Sequence, residues 1–486
     1  MPPLLFPEFA PDAPDLGDKA REASGVIPEA QGYRPFKALA TTSSALTARA
    51  QGAAWFRAYD GTTKQMAGDA TKLYSLASNT WSDVSRTSGG AYATDGTGNW
   101  RFAQFGDVAY ATNGVDTMQS FTLSSSSNWA AASGSPPVGT YIGVVRRFLV
   151  LAKIASYPKR VQWSGDNNTT TWTSSATTLS DYQDLPDGGD ITGFTGGELG
   201  VVLQESAVTR MTFEGSPTVF RFDKISNEVG CTVPGTVAAW DKLTFFCHRS
   251  GFYMLAGGQE LRPIGRERVD RWFWGLLDQT NMHRVTAAID PLNSLYVVSF
   301  PSGSSGTPDY LLIYNWKADR WSYALQTVEM VYAGATQQSY SLEDLDTVSS
   351  SIETIPYSLD SSYWTGSRQL LLSGFYTDHK SGAFSGDNLA ATIDTQEMQM
   401  VPGVRSRVRG ARPLVDGGTP SIAVGTRKSQ QSAVAWSSAR AINADGFVPL
   451  NRQSRYMRFR LTMPAASAYQ WAQGIDDIDA RGAGFR

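Results

Sequence analysis

Histidine and cysteine are scarce in this chain of 486 residues, three of one and two of the other, and both scarcities exclude chemistry. His248, His283 and His379 are too scattered for an HExxH pair or a histidine-rich cluster, so no metal site is expected and they read as structural or surface groups. Cys231 and Cys247 form no CxxC and read as buried free thiols. Charge is thin too. Asp, Glu, Lys and Arg make up 18% of the chain, and 42 basic residues against 45 acidic leave a net −3, without the electropositive footprint of a nucleic-acid reader. No apolar run is long enough to cross a membrane, and MPPLLFPEFAPDAPDL has prolines and acids where an export signal needs basic then apolar residues. A soluble chain without a signal peptide is expected. There is no GxSxG elbow, GxxxxGK[ST] loop or GxGxxG turn, so no catalytic residue or cofactor is assigned and an enzyme is not expected.

Glycine (46 residues) and aromatics (12%, with 14 Trp) are plentiful, which favours turns and ring-packed sheets over long helices. Helical spacing occurs twice: at Val269, Trp272, Phe273, Leu276 and Leu277, and at Leu345, Val348, Ile352 and Ile355 behind a capping-box-like Ser341 and Asp344, ended by Pro356. The rest reads as hairpins, such as RRFLVLAKIASYPKRVQWSG and KLTFFCHRSGFYMLAGG.

The hairpins start at Lys72, Asp107, Arg147, Leu199, Lys242 and Ser294, at intervals of 35, 40, 52, 43 and 52 residues. One four-stranded propeller blade uses about 40–50. Tryptophans close several units (Trp81, Trp129, Trp163 with Trp172, Trp321), where a large flat ring suits the wedge between blades. The expected fold is all-β: a propeller of about six blades over 51–335, closed by a strand from residues 36–50. An extended N-terminal arm (1–50) precedes it, and a connector with a short helix (336–390) and a small antiparallel β-sandwich (391–486) follow. A series of sandwiches with accidental spacing is the alternative. The proline-bearing arm, residues 2–35, suits a contact with a neighbouring subunit.

In the C-terminal part, period-two alternation puts Arg405, Arg407 and Arg409 on one strand face and Arg458 and Arg460, preceded by Arg455, on another. These six arginines are the candidate partner-contact residues; a solvated sheet face is the plainer reading. Residues 391–486 hold 13 Lys/Arg and 7 Asp/Glu, net +6, and residues 1–390 hold 29 and 38, net −9. Such a split favours head-to-tail or partner contacts. Asp476, Asp477 and Asp479 lack the grammar of a calcium loop and read as a solvated loop. Ser164-Gly-Asp166-Asn-Asn168-Thr-Thr-Thr-Trp172 resembles the Asp box of sialidase-type propellers, a folding hairpin remote from catalysis. It keeps a glycan hydrolase or depolymerase, or a carbohydrate-binding tail module, as alternatives.

A wider resemblance lies in PPLLFPEFAPDAPDLGD…ASGVIPEAQGYRPF, AGDATKLYSL, WRFAQFGDVAYATNGVD, VQWSGDNNTTTW, LPDGGDITGFTGGELGVVLQESAVTRMTFEG, GCTVPGTV, PIGRERVDRWF and YSLEDLDTVSSSIETIPYSLDSSYW, running from about residue 5 to 370 and on into RYMRFRLTM. In order and number these resemble the tail nozzle or hub (packaged-DNA stabilisation) proteins of short-tailed bacteriophages. Gly25 stands where that family's NVIP string has Asn, and the C-terminal third departs most. The resemblance implies a structural protein of the virion tail, assembled in the host cytoplasm. It also implies a homo-hexameric ring beneath an adaptor ring, contacts with tail fibre or tip proteins, and passage of duplex DNA through the lumen without sequence-specific binding. It supplies no site motif.

Overall fold

The computed structural model describes residues 3–94, 96–304, 306–335, 349, 351–355 and 370–484. Within them, strands assemble as antiparallel hairpins stacked four deep. Phe148–Ile154 shows why. Its FLVLAKI sequence is buried on nearly every residue, because both faces of a middle strand are covered by neighbouring sheets, and it pairs back on Gly139–Val145 through a two-residue turn at Arg146-Arg147.

Six such four-stranded sheets, together with the first four strands of a ten-stranded sheet, make seven propeller blades among the described residues. Blades 1 to 6 run in chain order over residues 52–83, 101–131, 139–184, 191–226, 238–263 and 286–325. Blade 7 is composite: Met330–Ala335, Leu370–Phe375 and Lys380–Ala383 are completed by Ala40–Ala45 from the N-terminal region. The innermost strand of blade 7 packs against that of blade 1, so the ring is closed. The closing strand thus comes from within the expected 36–50 segment.

The expected count of about six is corrected to seven. The first six blades are continuous in sequence, whereas the seventh is drawn from both sides of residues 336–369 and from the N-terminal region, so it leaves no 40-residue period. For the same reason the assignment of 336–390 to a connector is corrected. Its described part carries two strands of blade 7. The helix expected over 341–356 falls mostly outside the described residues; Ile352–Thr354 forms a 3-10 turn. The other expected helix is present as Asp270–Leu276.

Tryptophans fill the seams. Trp81 lies between blades 1 and 7, its Nε1 donating to Ser43 and Ser381 at 3.1 and 3.2 Å. Trp163 packs edge-on against Phe220 of blade 4 at 5.1 Å, and Trp321 donates to the Ile264 carbonyl beyond blade 5 at 2.9 Å. A large ring buries more area in such a wedge than an aliphatic chain, and its N–H finds a partner.

The outer edge of blade 6 is extended rather than exposed. Its Arg320–Leu325 strand pairs in parallel with Ala23–Ser24 at Ser24 and Tyr323. The sheet then continues through Ala391–Asp394, Tyr456–Met463 and Ser421–Arg427. A second sheet joins Leu4–Leu5, Val26–Pro28 and Tyr33–Pro35 of the arm to Ala472–Gly482, Ser406–Val415 and Val448–Ser454. Phe459, Leu461, Val408 and Ile475 are buried in one core shared with Tyr33 and Trp321. The arm, expected to be extended, is built into this core through Phe6, Phe9, Ala23, Val26 and Tyr33. Its strands build the sandwich of its own chain, and Phe9 is fully buried against Trp272 and Tyr323.

Candidate functional site

The innermost strands converge on a central channel, and their sequences are small there: GAAWFR in blade 1, AAW in blade 5 and TAAID in blade 6. Side chains larger than alanine would fill the narrow axis where the strands meet. What remains is a cavity of about 390 Å³ lined by Gln51, Asn99, Arg101, Trp240, Tyr332 and the backbone-rich strands around them. Of the residues lining it, Arg101 alone is charged.

Inner strands of a propeller run in one direction along the axis, so the residues just before each strand gather at one mouth. That mouth brings together Arg49, Asn99, Arg284 and Glu329, preceding the inner strands of blades 1, 2, 6 and 7. Glu329 is almost fully buried; one oxygen lies 2.7 Å from His379 Nδ1, and the other accepts from the Ala50 N–H at 3.1 Å. Asn99 lies 3.4 Å from the His283 carbonyl. Burial first, and then the charge of Arg284, pull Arg49 down to about 10. Burial lowers Arg284 as well, with the Glu329 charge opposing. Arg101, which opens the inner strand of blade 2, lies 5.9 Å from the centre of the Tyr141 ring on the neighbouring inner strand of blade 3. The strand-start positions at this mouth therefore carry both signs, Arg49 and Arg284 with Glu329 and with Asp190 directly before the inner strand of blade 4, above a small-residue bore.

Apart from His283 and His379, which read as structural or surface groups, none of these residues was singled out from the sequence, because ring closure unites positions as far apart as 49 and 379. The signal that marks them is their place directly before an inner strand.

The six candidate arginines divide. Arg458 and Arg460 lie in the seam of arm, blade 6 and sandwich. Arg460 holds the fully buried Asp394 through two contacts of 2.6 and 3.0 Å, and its guanidinium lies 4.1 Å from the centre of the Trp436 ring. Arg458 lies 3.9 Å from Asp394 and stacks on the same ring at 5.0 Å. Tyr323 donates to Glu22 beside them. Both arginines thus face the buried Asp394 of their own chain. Arg407, Arg409 and Arg455 are exposed and Arg405 is half-buried; Arg407 donates to Asn451 at 3.0 Å.

The Asp-box-like segment is a hairpin of blade 3. Asn168 accepts from the Thr170 N–H at 2.9 Å, Asp166 pairs with Arg147 at 2.6 Å, and Trp172 is buried between blades 2 and 3. Asp476, Asp477 and Asp479 lie within the strand Ala472–Gly482, which corrects the loop reading; Asp477 pairs with Arg412 at 3.1 Å and Asp479 with Arg481 at 3.5 Å. Cys231 and Cys247 are buried free thiols, and burial raises Cys231 to about 12.

No family model and no curated protein matches this chain. Among solved structures it is similar to the extracellular domain of a hybrid two-component system of B. thetaiotaomicron, at 9% identity and TM-score 0.45, over 82% of this chain and 47% of that one, so it spans about half of that protein's length. It is also similar to YCF48 bound to D1 peptide, at 11% identity and TM-score 0.35, over 61% and 87% of the two chains. BamB from Moraxella catarrhalis follows at 11% and 0.37, over 74% and 92%. The propeller is defined by the strand pairing itself, and these likenesses bear on neither substrate nor partner.

Proposed function

We propose that the chain is a structural subunit of the distal tail of a short-tailed bacteriophage, forming a nozzle or hub ring that encloses the DNA conduit and retains the packaged genome. The carrying observation is where the strings shared with that family fall. GYRPF forms the arm hairpin, whose Tyr33 donates to the Pro7 carbonyl at 2.7 Å. GCTVPGTV forms the buried crossing into blade 5, where Thr236 receives the Cys247 N–H at 2.9 Å. In AGDATKLYSL, the Asp69 carbonyl accepts from Trp100 at 2.8 Å, tying blade 1 to blade 2. The resemblance thus follows the joints of the architecture, as expected of a family related by scaffold and assembly rather than by a shared active site.

Charge supports the same reading. A conduit must not grip phosphate, since each Lys or Arg contact releases counterions and adds affinity. The net −9 of residues 1–390 suits a repelling wall, and the exposed Arg407, Arg409 and Arg455 suit an acidic neighbour such as an adaptor, fibre or tip protein. Closed cyclic assembly would follow from a heterologous interface whose rotation closes.

Electron microscopy of virions labelled with an antibody to this chain tests the proposal. Label at the distal tail, with loss of packaged DNA from particles lacking the chain, is the expected result. Label elsewhere, or DNA-filled particles without the chain, refutes it.

A further inference from the structure

The bore of the propeller holds one charge in excess of its surroundings. In the three positions before the inner-strand starts stand Arg49 and Arg284 against Asp190 and Glu329, with His283 beside them, and none of these lines the cavity. At or directly after the far ends stand Arg57 and Arg146 against Asp241 and Asp290, again two of each sign and again outside the lining. Arg101 remains. It lines the cavity, no carboxylate does, and it pairs with no acid among the described residues; its guanidinium meets the Tyr141 ring at 5.9 Å. A contact with a ring face leaves the N–H fork of an arginine open to an acceptor. The facing wall carries a second departure from small residues. Trp240 ends the inner strand of blade 5, three places from blade 2 in a ring of seven, and it lines the same cavity while 40% exposed. Between the two lie Gly52, Ala53, Ala239, Ala287 and Val331. An indole left open inside a cavity of about 390 Å³, within the roughly 300–1,000 Å³ of small-molecule sites, is a stacking face in a concave setting.

We propose that the bore is a binding site for a small planar monocarboxylate, its carboxylate on Arg101 and its apolar body against Trp240. One uncompensated guanidinium calls for one negative charge, and its planar fork matches the two oxygens of a carboxylate. The glycine, alanine and valine walls between the two residues offer few side-chain hydrogen bonds, so they suit a hydrocarbon body rather than a sugar. The site does not rest on the tail role, because it lies in the bore of one subunit and needs no second copy.

The test uses the full chain with 2-naphthoate as the probe and 2-naphthamide, its neutral counterpart of the same shape, as the comparison. Calorimetry at pH 7 is expected to show saturable 1:1 binding of the acid, with the amide weaker by about tenfold or more. Arg101→Gln is expected to erase the preference for acid over amide while the amide affinity stays, a result that a merely structural arginine would not give. Trp240→Ala is expected to weaken both probes by a similar factor, about tenfold. Should Arg101→Gln fail to fold, Arg101→Lys carries the same comparison, keeping the charge, losing the fork and retaining part of the preference. Equal binding of acid and amide by the wild type overturns the proposal, as does no saturable binding at millimolar probe, which would make Arg101 a solvated group in a water-filled bore. A preference that survives Arg101→Gln but is lost in Arg49→Gln or Arg284→Gln also overturns it, placing the anion at the mouth instead.

Discussion

Asp12 reaches from the arm to the start of the Asp270–Leu276 helix and accepts the Arg271 and Trp272 N–H groups at 2.6 and 2.9 Å. It does the work of an N-cap from about 260 positions away, because Val269, at the cap position, has no side chain that could accept. Asp12→Ala should therefore lower global stability by about 1–2 kcal/mol, read as a shift in denaturant midpoint. Limited proteolysis should find the arm cut sooner; unchanged cleavage would place the arm's anchoring elsewhere. Asp270 beside it behaves differently. Its carboxylate is packed against Gly251 and Gly265, where any Cβ would fall about 2 Å from it, and it accepts from the Phe252 N–H at 3.0 Å. Burial raises its pKa to about 6, with the Asp12 charge adding to the rise. An acid whose folded pKa lies above its unfolded one contributes stability that is complete below pH ~4 and lost as pH rises through 6. Relative to wild type, Asp270→Asn should gain about 2 kcal/mol between pH 4 and pH 7.5. Equal pH profiles for the two proteins would reject this.

At the scale of elements, blade 7 is the informative case. Its last strand, Ala40–Ala45, lies so close to Lys380–Ala383 that a Cβ on Gly382 would meet the Ala40 carbonyl at 1.9 Å. Gly382→Ala should force the closing strand outward and lower stability by about 1–3 kcal/mol, measured by chemical denaturation. A neutral result would mean that closure does not depend on this pairing. The same blade shows what was legible beforehand. Blades 1 to 6 are local: each hairpin carries its own period-two pattern and turn, so their spacing could be read along the chain. Blade 7 is assembled from segments separated by more than 300 residues, and no local pattern announces such a pairing. The helix at 270–276 was legible because its apolar spacing is local too. The mouth of the channel was not: Arg49, Arg284 and Glu329 have no motif in common and meet only once the ring closes. The alternation of Arg458 and Arg460 was read correctly as a single face, but sequence alone could not show that Trp436, Asp394 and Glu22 cover it.

At the scale of the molecule, propeller and sandwich are not two beads on a string. The arm contributes strands to both sheets of the sandwich and also closes blade 7, and one sheet runs from the inner strand of blade 6 to the far edge of the sandwich. Asp394, Arg460, Glu22 and Tyr323 join all three parts in an ionic cluster centred on the fully buried Asp394. Removing one member of such a cluster strands the others without compensation, typically at a cost of about 3–5 kcal/mol. The two bodies should therefore unfold together. Scanning calorimetry of the full chain should give one transition with calorimetric and van't Hoff enthalpies in agreement. Asp394→Ala should move that transition down as a whole rather than split it. A chain ending at residue 390 should not retain the propeller's stability, since Trp321 and Tyr323 pack in the core that residues 391–486 complete. Two resolved transitions, or a truncated chain that melts where the intact one does, would show that the shared sheet joins the bodies without coupling them. In the proposed tail role this coupling would matter, because a load applied to the sandwich would pass directly into blade 6 and around the closed ring.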